Sequence, residues 1–193
     1  MHHIYHTEGI ILESRNYGEA GKCYYVFTRS LGLIFCSATG VRKIESKLRF
    51  VLQDYSYIKL DLVKGKDFWR VTSCGKTNEL EEIKNKKENL KVLVQIARLL
   101  KRLLAGEDPN EILFLDVLKG VKILEKIDDR SELLNIEVIL VLRILNNLGY
   151  VGEHNTTIDL VSSPFEPEIL LEVAQNKNSI LRQINKALRE TQL

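Results

Sequence analysis

The sequence predicts an α+β chain: a small β-domain over residues 1–77 followed by an all-α domain over residues 78–193. Three observations carry that expectation. Apolar residues alternate with period two as far as Thr77, and from Glu88 onward they recur with the 3.6-residue period of a helix. The charge also changes sign between the parts. The first 77 residues hold 12 Lys and Arg against 7 acids, a net of +5, and the remaining 116 hold 16 against 19, a net of −3. The boundary falls in GKTNELEEIKNKKEN, a polar stretch of mixed charge.

The strands are justified in order. IYHTEGIILESRNYG alternates around Ile10 and Leu12 and ends at Gly18. KCYYVFTRSLGLIFCSATG reads as a hairpin, with strands Lys22–Thr28 and Leu33–Ala38 about a turn at Arg29–Gly32. LQDYSYIKLDLVKGKDFWRVTS supplies two more strands about the turn Lys64–Asp67. Five short strands before any helix predict a small closed barrel of the OB-fold type; an SH3-like barrel fits almost as well.

The helices follow from stripes and caps. Leu93, Ile96, Ala97, Leu100 and Leu104 form one stripe, with Gly106 as its stop. Asp108-Pro109-Asn110-Glu111 reads as a helix start capped by Asp108, and that helix runs to about Ile127. Asp129-Arg130-Ser131-Glu132 repeats the cap spacing and opens a helix that stops at Gly149. Val151–Pro167 has no helical period, and two short helices, Pro167–Ala174 and Ser179–Glu190, are expected last.

Composition and spacing argue against several functions. A 45% hydrophobic and 28% charged content fits a globular protein with a substantial core. No apolar run approaches the roughly 20 residues of a membrane span, and Met1–His6 is too polar for a signal peptide, so a cytoplasmic protein without a membrane partner is expected. Cys23, Cys36 and Cys74 form no CxxC pair and read as buried thiols. GEAGKC, Gly18–Cys23, lacks the glycine spacing and the Ser or Thr of a phosphate-binding loop. His2, His3, His6 and His154 do not form a ligand set, and no nucleophile–base or paired-carboxylate arrangement is evident. No catalytic residue, metal or cofactor is therefore expected.

The candidate site is ATGVRKIESKLRF, Ala38–Phe50, where Arg42, Lys43, Lys47 and Arg49 face a single acid, Glu45. A row of cations on a flexible segment can follow a nucleic-acid backbone without reading its sequence. In DYSYIKLDL, Tyr55, Tyr57 and Lys59 share one strand face and Ile58, Leu60 and Leu62 the other, so the first face can offer aromatic stacking beside a cation. Alternation in the hairpin places at least one of Tyr24, Tyr25 and Phe27 outward. Lys91, Arg98, Lys101 and Arg102 lie opposite an apolar helix stripe, and Arg143 interrupts VILVLRIL; such an arginine is paired inside a bundle or sits at the rim of an apolar groove. These residue types would serve DNA or RNA alike, and a protein-binding scaffold is the third reading.

Several stretches in order resemble the RecO family of DNA recombination and repair proteins: TEGIILESRNYGEAGK, then VFTRSLGLIFCSATGVRKIESKLR, then LQDYSYIKLDLVKGKDFWRVT, and later EVILVLRILNNLGY. The resemblance implies an OB-fold followed by a helical domain. It implies a mediator, not an enzyme, that binds single- and double-stranded DNA and anneals complementary strands. It also implies association with RecR and with the tail of single-stranded DNA-binding protein, helping RecA load. On this basis DNA contact is expected at Arg42, Lys43, Lys47 and Arg49, more weakly at Arg29, with Tyr57 and Lys59 from the strand face. Many members carry a four-cysteine zinc module after L-G-Y; here no cysteine follows Cys74, so no zinc is expected.

Overall fold

In a computed structural model, residues 3–151, 160–161, 163 and 167–191 are described. The chain divides into two compact units, Met1–Glu82 with Ala97–Phe114, and Ile83–Ile96 with Leu115–Leu193.

The first unit is built on five strands, β1 (Ile4–Tyr17), β2 (Gly21–Thr28), β3 (Gly32–Ala38), β4 (Tyr57–Lys64) and β5 (Trp69–Lys76). They close into a barrel in the order β1-β2-β3-β5-β4, which is the OB-fold order, and β3 meets β5 in parallel through Cys36 and Ser37 opposite Trp69 and Arg70. Closure requires β1 to serve two partners. Its first half pairs with β4 and its second with β2, and a register shift at Ile11–Glu13 turns the strand between them. Gly9 sits where the partners overlap: a Cβ there would meet Val26 Cγ1 at 2.7 Å and the Phe27 carbonyl at 2.8 Å. The interior is filled by the inward residues of every strand, among them Ile11, Tyr24, Val26, Ile34, Ile58, Leu60 and Trp69. Cys36 is part of that core, and burial pushes its thiol up to about 12.

The helices are α1 (Lys87–Leu103), α2 (Glu111–Lys126), α3 (Arg130–Asn147) and α4 (Pro167–Glu190). Asp129 caps α3 as its spacing predicts, its carboxylate accepting from Ser131 N at 2.8 Å and Glu132 N at 3.0 Å. Two expectations are corrected. The cap of α2 is Asn110, whose Oδ1 accepts from Leu113 N at 2.9 Å, so Asp108 and Pro109 precede the helix. The two short final helices are one, α4. No Gly or Pro interrupts Gln175–Asn178, and Asn176 donates to the Glu172 carbonyl four residues back. In the second unit α3 packs on α4, and buried Asn89 of α1 donates to the carbonyls of Leu124 and Ile127 at the end of α2. Among the described residues, no helix is long and apolar enough to cross a membrane.

Candidate nucleic-acid interface

The β3–β4 connection, residues 39–56, is a fixed platform. Gly40 turns it with φ +70°. Lys43 N donates to the Gly40 carbonyl, and Ser46 N to that of Lys43, making two successive turns before a 3-10 turn at Lys47–Phe50. Val41 and Leu52 are buried in the barrel core, and Leu48 and Val51 lie against it. Arg42 N donates to the Ala20 carbonyl at 2.9 Å, which ties the loop to the β1–β2 turn. The small apolar side chains thus hold the loop down and leave its charged ones outward.

The structure brings four of the sequence candidates together here. Arg42, Lys43, Lys47 and Arg49 are all exposed, and among the described residues none of the four has an ion-pair partner. Arg49 lies over the Phe50 ring, 4.5 Å from its centre. An unpaired, exposed cation keeps its full charge for an incoming polyanion, whereas a paired one must first give up its acid.

The other three candidates lie elsewhere. Arg29 and Lys59 line a cleft on the β1–β4 side with His6, Thr7, Glu8, Ser30, Leu60 and Asp61. There Arg29 is held by Glu8 at 3.1 Å and Glu111 at 2.6 Å, and His6 Nδ1 lies 2.6 Å from Asp61, so the charges of the cleft are mixed. Lys59 is exposed. Tyr57 is not available for stacking: it is 7% exposed, because Phe114 closes over that face with ring centres 6.3 Å apart. The alternation in β4 is as expected; what covers its outer face comes from a distant part of the chain. Phe114 also meets Phe27 at 5.3 Å, which removes Phe27 from the surface.

Another aromatic face is present instead, on the outer side of β2 and β3. Tyr25 and Phe35 are cross-strand partners with ring centres 5.0 Å apart. Phe35 meets Phe68 of the β4–β5 turn at 6.1 Å, and Phe68 meets Tyr17, at the end of β1, at 6.0 Å. Tyr17 and Phe35 are exposed, and exposed Lys66 and Arg70 flank Phe68. Tyr25 is also held by Lys101, whose ammonium lies 4.4 Å from its ring centre and is bonded to Glu13. That ammonium, with Arg15 second, holds the Glu13 carboxyl below its ordinary value. The sequence reading missed Tyr17, Phe35 and Phe68. Phe35 was accessible in principle, since alternation sets it opposite buried Ile34 and Cys36. Tyr17 stands across from Gly21 at the turn on which the basic loop is anchored, so the aromatic row and the cationic loop meet at the β1–β2 turn.

Arg143 is not at a groove rim. It is 3% exposed, with Nη1 donating to Asp116 at 3.0 Å and Nε and Nη2 donating to the Leu160 carbonyl at 3.2 and 2.9 Å. His2 and His154 lie outside the described residues.

Comparison with known proteins agrees with the barrel. Residues 1–78 match the family model described as Recombination protein O N terminal. DNA repair protein RecO of Acetivibrio thermocellus is 29% identical over 160 residues, covering 83% of this chain and 63% of that protein. The protein of the same name from Heliobacterium modesticaldum is 28% identical over 156 residues, covering 81% and 55%. That of Alkaliphilus metalliredigens is 35% identical over 94 residues, covering 49% and 37%. The chain thus spans roughly half to three-fifths of the length of the relatives that match most of it.

Proposed function

The chain belongs to the RecO family, and from that premise we propose that it is a mediator of recombinational DNA repair that acts by binding DNA rather than by catalysis. In this reading residues 1–77 bind single-stranded DNA, and residues 78–193, of which Ala97–Phe114 belong to the same compact unit as the barrel, supply the helical part. The observation that carries it is the set of four exposed cations without acid partners among the described residues, Arg42, Lys43, Lys47 and Arg49, on a loop pinned to the barrel. A single strand carries a phosphate at every nucleotide and leaves the bases free. Cations track the first and aromatic faces take the second. The loop supplies the cations, and Tyr17, Phe35 and Phe68 supply the faces beside it. The outer face of the second and third strands with the adjoining turns is also where OB-folds in general bind oligonucleotides.

The finer roles rest on the family resemblance alone. They are binding of duplex DNA, annealing of complementary strands, contact with RecR and with the tail of single-stranded DNA-binding protein, and help in loading RecA. A cytoplasmic location belongs with them. Arg29 and Lys59 are assigned a subsidiary contact on the β1–β4 side, since Arg29 is already held by two acids. Tyr57 has no part in stacking.

The test is fluorescence anisotropy with labelled single-stranded DNA and RNA of equal length, using the wild-type chain and a variant with all four loop cations replaced by Ala. DNA binding that the folded variant loses supports the reading. Unchanged binding by the variant would sink it, and tighter binding of RNA than DNA would move the function to an RNA substrate.

A further inference from the structure

The basic loop carries two side chains that phosphate binding does not use. Ile44 is 83% exposed and Phe50 57% exposed, within seven residues of each other and interleaved with the four cations. Ile44 is a central residue of the Lys43–Ser46 turn, and turns are dominated by Gly, Pro, Asn, Asp and Ser rather than by branched apolar residues. Nothing in the barrel holds it there, because Val41, Leu48, Val51 and Leu52 already attach the loop to the core. Phe50 has one face occupied by the Arg49 guanidinium, 4.5 Å from the ring centre. Isolated apolar residues on a surface need no explanation; a turn-tip Ile and a cation-backed Phe among four unpaired cations form a pattern.

We propose that this loop is a base-binding element as well as a phosphate tether: Phe50, backed by Arg49, stacks on an unpaired base, and Ile44 packs against a neighbouring one. The proposal rests on the single-strand reading above and deepens it. The ligand is argued from charge and shape together. An apolar contact ringed by cations suits a ligand whose apolar faces and anions alternate within a few ångströms, which describes a nucleotide chain. Aromatic rings and guanidinium planes are each surfaces on which splayed bases stack. In duplex DNA the base faces are already stacked on one another, so the loop gives preference for unpaired strands. The cations alone would favour the denser charge of a duplex.

The experiment compares a thymidine oligonucleotide with an abasic oligonucleotide of the same length, which keeps every phosphate and removes every base. Wild type, Phe50→Ala and Ile44→Ser are measured, each checked for an unchanged thermal transition; both side chains are largely exposed, so the fold does not depend on them. Phe50→Ala is expected to weaken thymidine binding by roughly 5- to 150-fold, the range of one base–aromatic stack. Abasic binding and the salt slope should stay unchanged, with a smaller change of the same pattern for Ile44→Ser. Equal losses on both oligonucleotides, or none on either, would overturn the base contact and leave the phosphate reading standing. Wild type that binds neither would overturn both. Loss of binding to phosphatidylserine vesicles in Phe50→Ala, with oligonucleotide binding intact, would assign the loop to lipid and also overturn the proposal.

Discussion

Removing Arg42 and Lys43 isolates the electrostatic part of the interface. Each phosphate neutralised on a single strand contributes a slope of about −0.7 in log K against log salt, so four unpaired cations account for a slope of about −2.8. Between 50 and 200 mM salt that slope corresponds to a loss of roughly 50-fold in affinity. The Arg42→Ala/Lys43→Ala variant keeps two of the four, and its slope should fall to about −1.4, a loss of only roughly sevenfold over the same range. The fold should be untouched: the side chains of both residues are exposed and unpaired, and the Arg42 bond to Ala20 is made by the backbone. Arg29→Ala is the internal control. Its guanidinium is held by Glu8 and Glu111, so removing it takes away a cation but also frees two acids, and little counterion release should be lost. The assay is an anisotropy titration of a labelled 20-mer at five salt concentrations for the three proteins. Should the folded double variant keep the wild-type slope, or should Arg29→Ala flatten it as much, the argument from unpaired charge is wrong.

Three further outcomes follow from the fold. Lys101 holds the Glu13 carboxyl below its ordinary value and Lys64 does the same for Glu107; a lowered carboxylate stabilises the fold above its unfolded value and stops doing so as pH falls through the folded one. Barrel stability should therefore drop below about pH 4.3, and Lys101→Met should flatten that acid limb in thermal scans taken from pH 6 to 3. Asp129→Ala removes the acceptor of two backbone N–H groups at the start of α3 and should cost about 1 kcal/mol in urea unfolding; no change would mean that the end of α3 is held by other contacts. Gly9→Ala forces a Cβ to within 2.7 Å of Val26 and 2.8 Å of a carbonyl, and should cost about 1–3 kcal/mol; a variant as stable as wild type would show that β1 can shift at its change of partners.

What the sequence revealed and what it hid divide along one physical line. Features set by near neighbours were legible: the alternation that buries Ile58, Leu60 and Leu62, the Asp129 cap, and the polar loop with four cations. Features set by distant chain were not. Tyr57 and Lys59 have the same parity on β4, yet Phe114, over fifty residues on, covers one and leaves the other exposed. Tyr17, Phe35 and Phe68 are far apart in sequence, and only closure of the barrel puts them in one row. The final helix is one rather than the two expected, for a local reason: a polar run without Gly or Pro is no break when the faces on either side stay in phase.

The cations of the helices show the same division, and they bear on the acidic protein tail that the family resemblance implies as a partner. In sequence, Lys91, Arg98, Lys101, Arg102 and Arg143 look equivalent, a basic rim beside apolar stripes. In the structure they are not. Arg143 is spent inside its own unit on Asp116 and the carbonyls of Leu160 and Ser163, where a guanidinium with three matched acceptors is retained and an unmatched one would be strongly unfavourable. Lys101 bonds Glu13 and covers Tyr25, and Lys91 is paired with Glu88 at 2.7 Å. That leaves Arg98 and Arg102, four residues apart and exposed on α1, as the members of the set without an ion pair among the described residues. Two cations one helical turn apart can orient a carboxylate-ended peptide through charge. A tail that binds here would be held mainly by charge and released by salt, unlike one whose apolar end is buried.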